Sequence, residues 1–321
     1  MVNYLIFIKR KKDKNMEELD KTLIKKILYQ IMLCIRKNRY THSFYLILED
    51  IGVRIVLSKI FNYFNNKRLC SNPTEETIKS KEYFEKHKLD MDRISSFFSD
   101  EKSKNVYLRM VKFRGSFENK LIPYYSYRKQ YWFNDFFRYK NGETMIDCGA
   151  YDGDSIRSFC KAMEDNNIIS YKIIAFEPDD DNYNLLNYFF PTIKTIKSGV
   201  GNKTGKQQMY MQNNERSSFI DSLDLSNKKK YIVCVRRIDD VDECRDATLI
   251  KMDIEGSEYE ALLGAEKLIK KNKPKLAICI YHKDEDFIRI PLLIHKWVPE
   301  YKLYVMQHSN TICETVLYAT L

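Results

Sequence analysis

Thr144–Ser155 reads T-M-I-D-C-G-A-Y-D-G-D-S, and the expected fold follows from it. A short apolar run, Met145 and Ile146, leads into Asp147, then Gly149 and Gly153. A hydroxyl and a helical pattern through Ile156, Phe159 and Met163 come next. That order predicts a buried strand, a tight glycine turn and a helix start. Gly149 lets the backbone turn sharply, and Gly153 lets it approach a ligand with no Cβ in the way. A dinucleotide-binding turn would read G-x-G-x-x-G, its helix amides open to a pyrophosphate. This one reads D-x-G-x-x-x-G and carries Asp152 and Asp154. Close like charges cost on the order of 1–4 kcal/mol at surface-like dielectric, so two carboxylates here would repel a pyrophosphate. The turn suits a cofactor with no phosphate and some positive charge. S-adenosyl-L-methionine, with its sulfonium and ammonium, is such a cofactor.

Downstream the chain alternates. Tyr171–Phe176 reads as a strand ending at Glu177-Pro178, and Asp179, Asp180 and Asp181 open a helix from Tyr183 to Phe190, where acids suit the free amides and the dipole. Thr192–Ile196 is a third strand, running into Ser198-Gly199-Val200-Gly201. Residues 207–211 and 231–236 read as strands around a polar loop holding Arg216, Ser217 and Ser218. Ala247–Met252 is a buried strand ending in Asp253-Ile254-Glu255-Gly256. Ser257 and Glu260 form an S-x-x-E capping box for one helix through Ala261, Leu262, Ala265, Leu268 and Ile269. Lys275–Tyr281 is a strand closing at His282, Asp286–Trp297 is helical, and Tyr301–Met306 and Thr315–Ala319 are strands joined through His308. Alternating strands and helices predict a parallel sheet covered on both faces. The last two strands have no helix between them, so one antiparallel strand is expected near the edge.

Upstream, the pattern from Met16 to about Phe113 is helical. Leu19, Leu23, Ile27, Ile31 and Cys34 recur every three to four residues, as do Leu46, Val53, Leu57 and Phe61. Ser71-Asn72-Pro73 breaks the pattern, and Thr74-Glu75-Glu76-Thr77 starts another helix with acids in its first turn. Residues 1–125 are read as a helical domain for acceptor binding or oligomer contact, and 126–321 as the catalytic domain. The aromatic stretch Tyr124–Tyr139 bridges the two and reads as packing rather than as a platform for sugar rings.

Bulk properties fit a globular chain of 321 residues, 44% apolar and 31% charged. Eight cysteines lie scattered with no C-x-x-C pair, which reads as reduced thiols in a cytosol rather than a disulfide framework or zinc site. No secretory signal or membrane span is evident, so a cytoplasmic location is expected. The net charge of +10 is uneven. Residues 1–140 hold 30 Lys and Arg against 16 Asp and Glu, a balance of +14, whereas the remainder balances to −4. A basic half suggests an acidic partner, and a lysine-rich solvated helical surface is the plainer reading.

In an open parallel sheet, ligands bind beyond the carboxyl ends of the strands. Asp147 and the glycine turn end the first strand. Glu177, 24 residues after Gly153, ends the second at the spacing of a carboxylate that binds ribose hydroxyls. The Ser198–Gly201 turn ends the third, where backbone could meet an adenine. Asp253 and Glu255 end the next strand; if the backbone stays extended, both point to one side. His282 closes the strand after that. At this point I-D-C-G-A-Y-D-G-D-S, A-F-E-P-D, R-I-D-D-V and I-K-M-D-I-E-G-S-E-Y-E-A-L-L-G-A together resemble the FkbM-type S-adenosyl-L-methionine-dependent methyltransferases, over roughly residues 140–320. The resemblance implies an α/β fold of the class I methyltransferase (Rossmann-like) kind, with a mostly parallel seven-stranded sheet beside the N-terminal helical domain. It also implies methyl transfer to a hydroxyl, often on a sugar or a polyketide-like product. Tyr281-His282 and the closing E-T-V-L-Y-A resemble members associated with bacterial surface glycans, so a sugar of such a glycan or related glycoconjugate is expected.

Candidate cofactor residues are Asp147, Gly149, Ala150, Tyr151, Gly153, Ser155, Glu177, Pro178, Gly199, Val200 and Asp253. Candidate catalytic residues are Asp253, His282 and Glu255, with a neutral His282 or Asp253 as the base and Glu255 on the acceptor. These acids could hold a divalent ion, but their spacing is not a ligand signature, and no metal-binding residue is assigned. The expected partner is a glycan or nucleotide-sugar acceptor, acidic or phosphorylated, with self-association as a further expectation. A non-catalytic methyltransferase-like binding module and an RNA methyltransferase are the competing readings. The second lacks an N-P-P-Y motif and any arginine-aromatic reader.

Overall fold

The computed structural model describes residues 75–211, 217–218 and 230–321. The helical repeats expected before residue 75, and Arg216, lie outside the described residues. In chain order the elements begin with helices α1 (Glu75–Lys86), α2 (Lys88–Ser95) and α3 (Glu101–Arg114). Strand β1 (Glu143–Cys148), helix α4 (Asp154–Asp165), strand β2 (Tyr171–Phe176), helix α5 (Asp180–Phe189) and strand β3 (Lys194–Ile196) follow. Then come strands β4 (Gly199–Val200), β5 (Gly205–Met211), β6 (Ser217–Ser218), β7 (Lys230–Arg236) and β8 (Leu249–Met252). Helices α6 (Glu258–Leu263) and α7 (Glu266–Asn272), strand β9 (Lys275–Cys279), helix α8 (Asp286–Trp297) and strands β10 (Lys302–Gln307) and β11 (Thr315–Thr320) complete the chain.

The main sheet has seven strands in the order β10-β11-β9-β8-β1-β2-β3. All neighbours are parallel except at β11, which runs antiparallel to both β9 and β10, so the expected antiparallel strand sits one place in from the edge. A second sheet, β4-β7-β5-β6, stands apart from it.

Side chains alternate across the main sheet with a period of two, as pleated strands require. Ile146 and Cys148, Ile250 and Met252, Leu276 and Ile278, and Leu317 and Ala319 enter one core. Met145, Leu249, Ala277 with Cys279, and Val316 with Tyr318 enter the other. The first core is closed by α6, α7, α8 and also by α1–α3, through Phe84, Ile94, Tyr107 and Met110. The second is closed by α4 and by the aromatic stretch, whose Tyr131, Trp132 and Phe137 pack with Ile156 and Phe159. Trp132 Nε1 donates to the Ser155 carbonyl at 2.9 Å, and Phe136 stacks on Tyr304 with ring centroids 4.3 Å apart. The stretch serves as packing, as expected, and Tyr131 does more, as described below.

Residues Cys70–Leu321 form one compact unit, within which α1–α3 share the sheet's core. The single helix expected after Ser257 is two, broken at Gly264 and Ala265. The expected capping box does not form. Ser257 has φ −102° and ψ 9°, not the extended backbone of a capping residue, and its hydroxyl makes no cap hydrogen bond. Glu260 instead accepts from Asn202. Asp179 does cap α5, accepting from Asn182 N at 3.0 Å. Among the described residues no helix is long and apolar enough to cross a membrane, and Cys148, Cys160, Cys234, Cys244, Cys279 and Cys313 are free thiols.

Candidate active site

The glycine turn leaves β1 and enters α4. Gly149 has φ +76°, and a Cβ there would lie 2.1 Å from the Asp253 carbonyl oxygen, so only glycine fits between the ends of β1 and β8. Gly153, at φ +87°, is the N-cap of α4; a Cβ on it would meet the Phe190 ring at 2.3 Å. Gly149 N and Ala150 N both donate to the Phe176 carbonyl, which ties the turn to the end of β2. Glu177 completes that link. Its two carboxylate oxygens accept from Tyr151 N at 2.8 Å and Asp179 N at 2.9 Å. Burial pushes its carboxyl up to about 7, against the pull of those two amides. Each carboxylate oxygen has a second lone pair, so these bonds leave acceptor capacity for ribose hydroxyls. Pro178 is half-buried beside it, and Gly199 and Val200 are buried where β4 pairs with β7.

Asp147 sits differently from its expected place in the pocket. It is fully buried and paired across the sheet with Lys251, its register partner on β8. Lys251 Nζ lies 3.0 Å from Asp147 Oδ1 and donates to the Gly149 carbonyl at 2.8 Å, while Ser155 Oγ donates to Asp147 Oδ2 at 2.5 Å. Burial alone would lower the Lys251 pKa, but Asp147, Asp253 and Asp154 outweigh it and hold the ammonium charged. Asp147 and Ser155 thus brace the turn from beneath.

Beyond β8 the backbone does not stay extended. Glu255 has φ +56° and Gly256 φ +94°, so the chain curls left-handed, yet both Asp253 and Glu255 still face His282. His282 Nε2 lies 3.6 Å from Asp253 Oδ1 and 3.4 Å from Glu255 Oε2. Its Nδ1 lies 2.9 Å from Oε1 of Glu258, a fully buried residue in the first turn of α6 that also accepts from Ile254 N at 2.8 Å. Burial works against a charge on His282, but Glu258, Glu255 and Asp253 more than offset it and raise the imidazole well above its ordinary value. The three carboxylates favour its charged form over the neutral imidazole expected of a base, and neither ring nitrogen has a hydrogen-bond partner.

Asp253 is held from two sides. Tyr131 donates to its Oδ2 at 2.9 Å and Tyr281 to its Oδ1 at 3.1 Å. Burial raises its pKa, but Lys251, His282 and the two hydroxyls prevail and keep the carboxylate below its ordinary range. The His282 segment is anchored by Arg114 at the end of α3. That side chain donates to the Tyr281 carbonyl at 2.9 Å and pairs with Asp284 at 2.5 Å. Tyr131, Tyr151 and Glu255 all have positive φ, at 59°, 52° and 56°. Non-glycine residues held left-handed are uncommon and cluster at functional sites.

Tyr131, Glu258 and Arg114 were not legible as site residues. Tyr131 is one aromatic among nine, and Glu258 reads as an ordinary first-turn acid of a helix. Arg114 reads as an ordinary C-terminal helix cation.

Over residues 147–306 the sequence matches the methyltransferase FkbM domain family. The chain carries a methyltransferase FkbM domain. S-adenosyl-L-methionine is that family's cofactor, and the seven-stranded sheet is the Rossmann-like sheet of class I methyltransferases. The chain is similar to the crystal structure of methyltransferase FkbM from Methylobacillus flagellatus KT, at 25% identity and a TM-score of 0.60. That likeness covers 74% of this chain and 60% of the other, so this chain spans less than two thirds of that protein's length. Fibrillarin from Aeropyrum pernix, solved with S-adenosyl-L-methionine, is 9% identical with a TM-score of 0.31, covering 56% of this chain and 67% of its own. A methyltransferase from Aquifex aeolicus is 14% identical with a TM-score of 0.30, covering 56% and 82%. No curated protein matches the chain.

Proposed function

We propose that this FkbM domain transfers the methyl group of S-adenosyl-L-methionine to a sugar hydroxyl of a bacterial surface glycan or related glycoconjugate, in the cytoplasm, before the product is exported. The observation that carries the reading is the contact between the two halves of the rim. The glycine turn of the cofactor side abuts the Asp253 carbonyl with no room for a Cβ, so a methyl donor on the turn would face Asp253, Glu255 and His282. Carboxylates and tyrosine hydroxyls are the groups that hold a polyol. The +14 balance of residues 1–140 suits an acidic or phosphorylated acceptor.

Methyl transfer is an in-line displacement, so most of the rate comes from alignment, with ~10²–10⁴-fold from a positioned base. Asp253, fixed by two tyrosine hydroxyls, orients the acceptor. Glu255, whose side chain is 28% exposed on the rim, takes the hydroxyl proton in place of His282. Mass spectrometry of surface glycans tests the reading, in cells with the protein, without it, and with Asp253→Asn. Glycans should be lighter by one CH₂ per modified sugar in the last two. Unchanged glycans, or methyl label appearing on RNA instead, would overturn it.

A further inference from the structure

One ligand atom from each of Asp253, Glu258 and His282 lies within 4.8 Å of the others, near enough for a single ion to be held among them. The three come from separate places, the end of β8, the start of α6 and the segment after β9, and converge on the rim. Glu258 is fully buried, and its Oε2 has no hydrogen-bond partner, an uncommon state for a carboxylate oxygen out of water. Its Oε1 is already taken by Ile254 N and by the approach of His282 Nδ1. Three carboxylates, with Glu255, surround one imidazole, so even an imidazolium leaves the cluster negative. Of the neighbouring cations, Arg289 pairs with Asp286 and Arg114 with Asp284, while Lys251 pairs with Asp147 and also acts on Asp253. Glu258 is wholly out of water, and the negative charge gathered around it is stabilised by a compensating ion.

We propose that Asp253, Glu258 and His282 form a divalent-cation site on the acceptor side of the rim. The donor set is one imidazole nitrogen and carboxylate oxygens, which suits manganese or zinc better than calcium, whose sites take six to eight oxygens. Three protein ligands leave coordination positions open. On the reading that the acceptor is an alcohol, its hydroxyl oxygen takes one of them, and the cation lowers the hydroxyl's pKa as a Lewis acid. The proton passes to the Glu255 carboxylate. The oxygen then bonds to the methyl carbon while the carbon–sulfur bond breaks, leaving its electron pair on sulfur as a thioether. This role deepens the methyl-transfer reading and rests on it; the cation site itself does not.

Titrating the full-length chain with Mn²⁺ alone, followed by electron paramagnetic resonance and calorimetry, tests the site without any acceptor. The expected result is one Mn²⁺ bound per chain, with affinity reduced at least tenfold in Glu258→Gln and in His282→Gln. Mn²⁺ should also raise the melting temperature of the unmodified chain and not that of either variant. If one variant fails to fold, the other and the unmodified chain's melting shift decide. Absence of stoichiometric binding by both Mn²⁺ and Zn²⁺, or binding unaltered in both variants, would overturn the proposal. Methyl transfer that persists after chelation with no bound metal would sink the cation and spare the acceptor reading. A bound cation with no methylated hydroxyl would do the reverse.

Discussion

Lys251 and Asp147 are the residues on which the cofactor turn rests. A lysine and an aspartate out of water are tolerable only as a pair, and removing one partner of a buried ion pair costs roughly 3–5 kcal/mol. Lys251→Met should therefore lower unfolding free energy by about that amount in urea titrations. The double variant Asp147→Asn, Lys251→Met should regain most of it, since neither charge is then stranded. A single-variant loss below ~1 kcal/mol would show that the pair is not holding the turn. The sequence displayed the carboxylate at the strand end, and a ligand role was the natural expectation for it. What it did not display was register: Asp147 and Lys251 are partners only because β1 and β8 run side by side. A lysine inside the apolar run Leu249–Met252 was the available clue. The surroundings of His282 were hidden for the same reason. Its position at a strand end was visible, but not the convergence of Glu258 upon it, which favours the charged imidazole over the neutral one.

At the level of elements, the aromatic stretch is locked to the sheet edge by a chain of hydrogen bonds. Tyr131 N donates to the Tyr318 hydroxyl at 2.9 Å, and Tyr318 lies 2.8 Å from His308 Nε2. His308 Nδ1 lies 2.8 Å from the Ser126 carbonyl, which can only accept. Nδ1 therefore carries the proton, and Nε2 accepts from Tyr318. His308 is fully buried, and burial lowers its pKa to about 4 despite the Ser126 carbonyl. The unfolded chain takes up this proton near its ordinary 6.5, so stability should fall as pH drops from 6.5 towards 4 and not further below that window on this account. The full loss is on the order of 3 kcal/mol, because each tenfold change in proton affinity between the folded and unfolded chain is worth ~1.4 kcal/mol. Unfolding free energies measured across that range should fall more steeply for the native chain than for His308→Gln; parallel slopes would contradict the relay. Strand and helix positions were largely legible, because buried parallel strands and capped helices leave strong local patterns. The break at Gly264 and the absent capping box were not. The capping box fails because Ser257, just past the left-handed curl at Glu255 and Gly256, is not extended. At the break, Gly264 lies so close to the Gly201 carbonyl that a Cβ would not fit, and residue type alone dictates neither.

Across the whole molecule, α1–α3 cover one face of the sheet, with Tyr107 and Met110 fully buried and the Tyr107 hydroxyl bonded to the Phe287 carbonyl at 3.0 Å. Arg114 carries that packing to the edge of the site. A chain beginning at residue 70 should fold and bind cofactor, whereas one beginning at residue 126 should be insoluble or molten because an apolar sheet face is laid bare. Circular dichroism and cooperative melting of the two products decide this, and a well-folded product from residue 126 would contradict it. The sequence showed that these helices have an apolar side. It could not show what that side meets, so their helical pattern suggested a separate domain.

The most direct test of the methyltransferase assignment is calorimetric titration of the full-length chain with S-adenosyl-L-methionine, its demethylated product and NAD. One cofactor should bind per chain, the demethylated product should compete with it, and NAD should give no heat. Glu177→Ala, which removes the carboxylate spanning Tyr151 N and Asp179 N, should weaken binding at least tenfold. Tight NAD binding, or S-adenosyl-L-methionine affinity unchanged in a folded Glu177→Ala, would contradict the account.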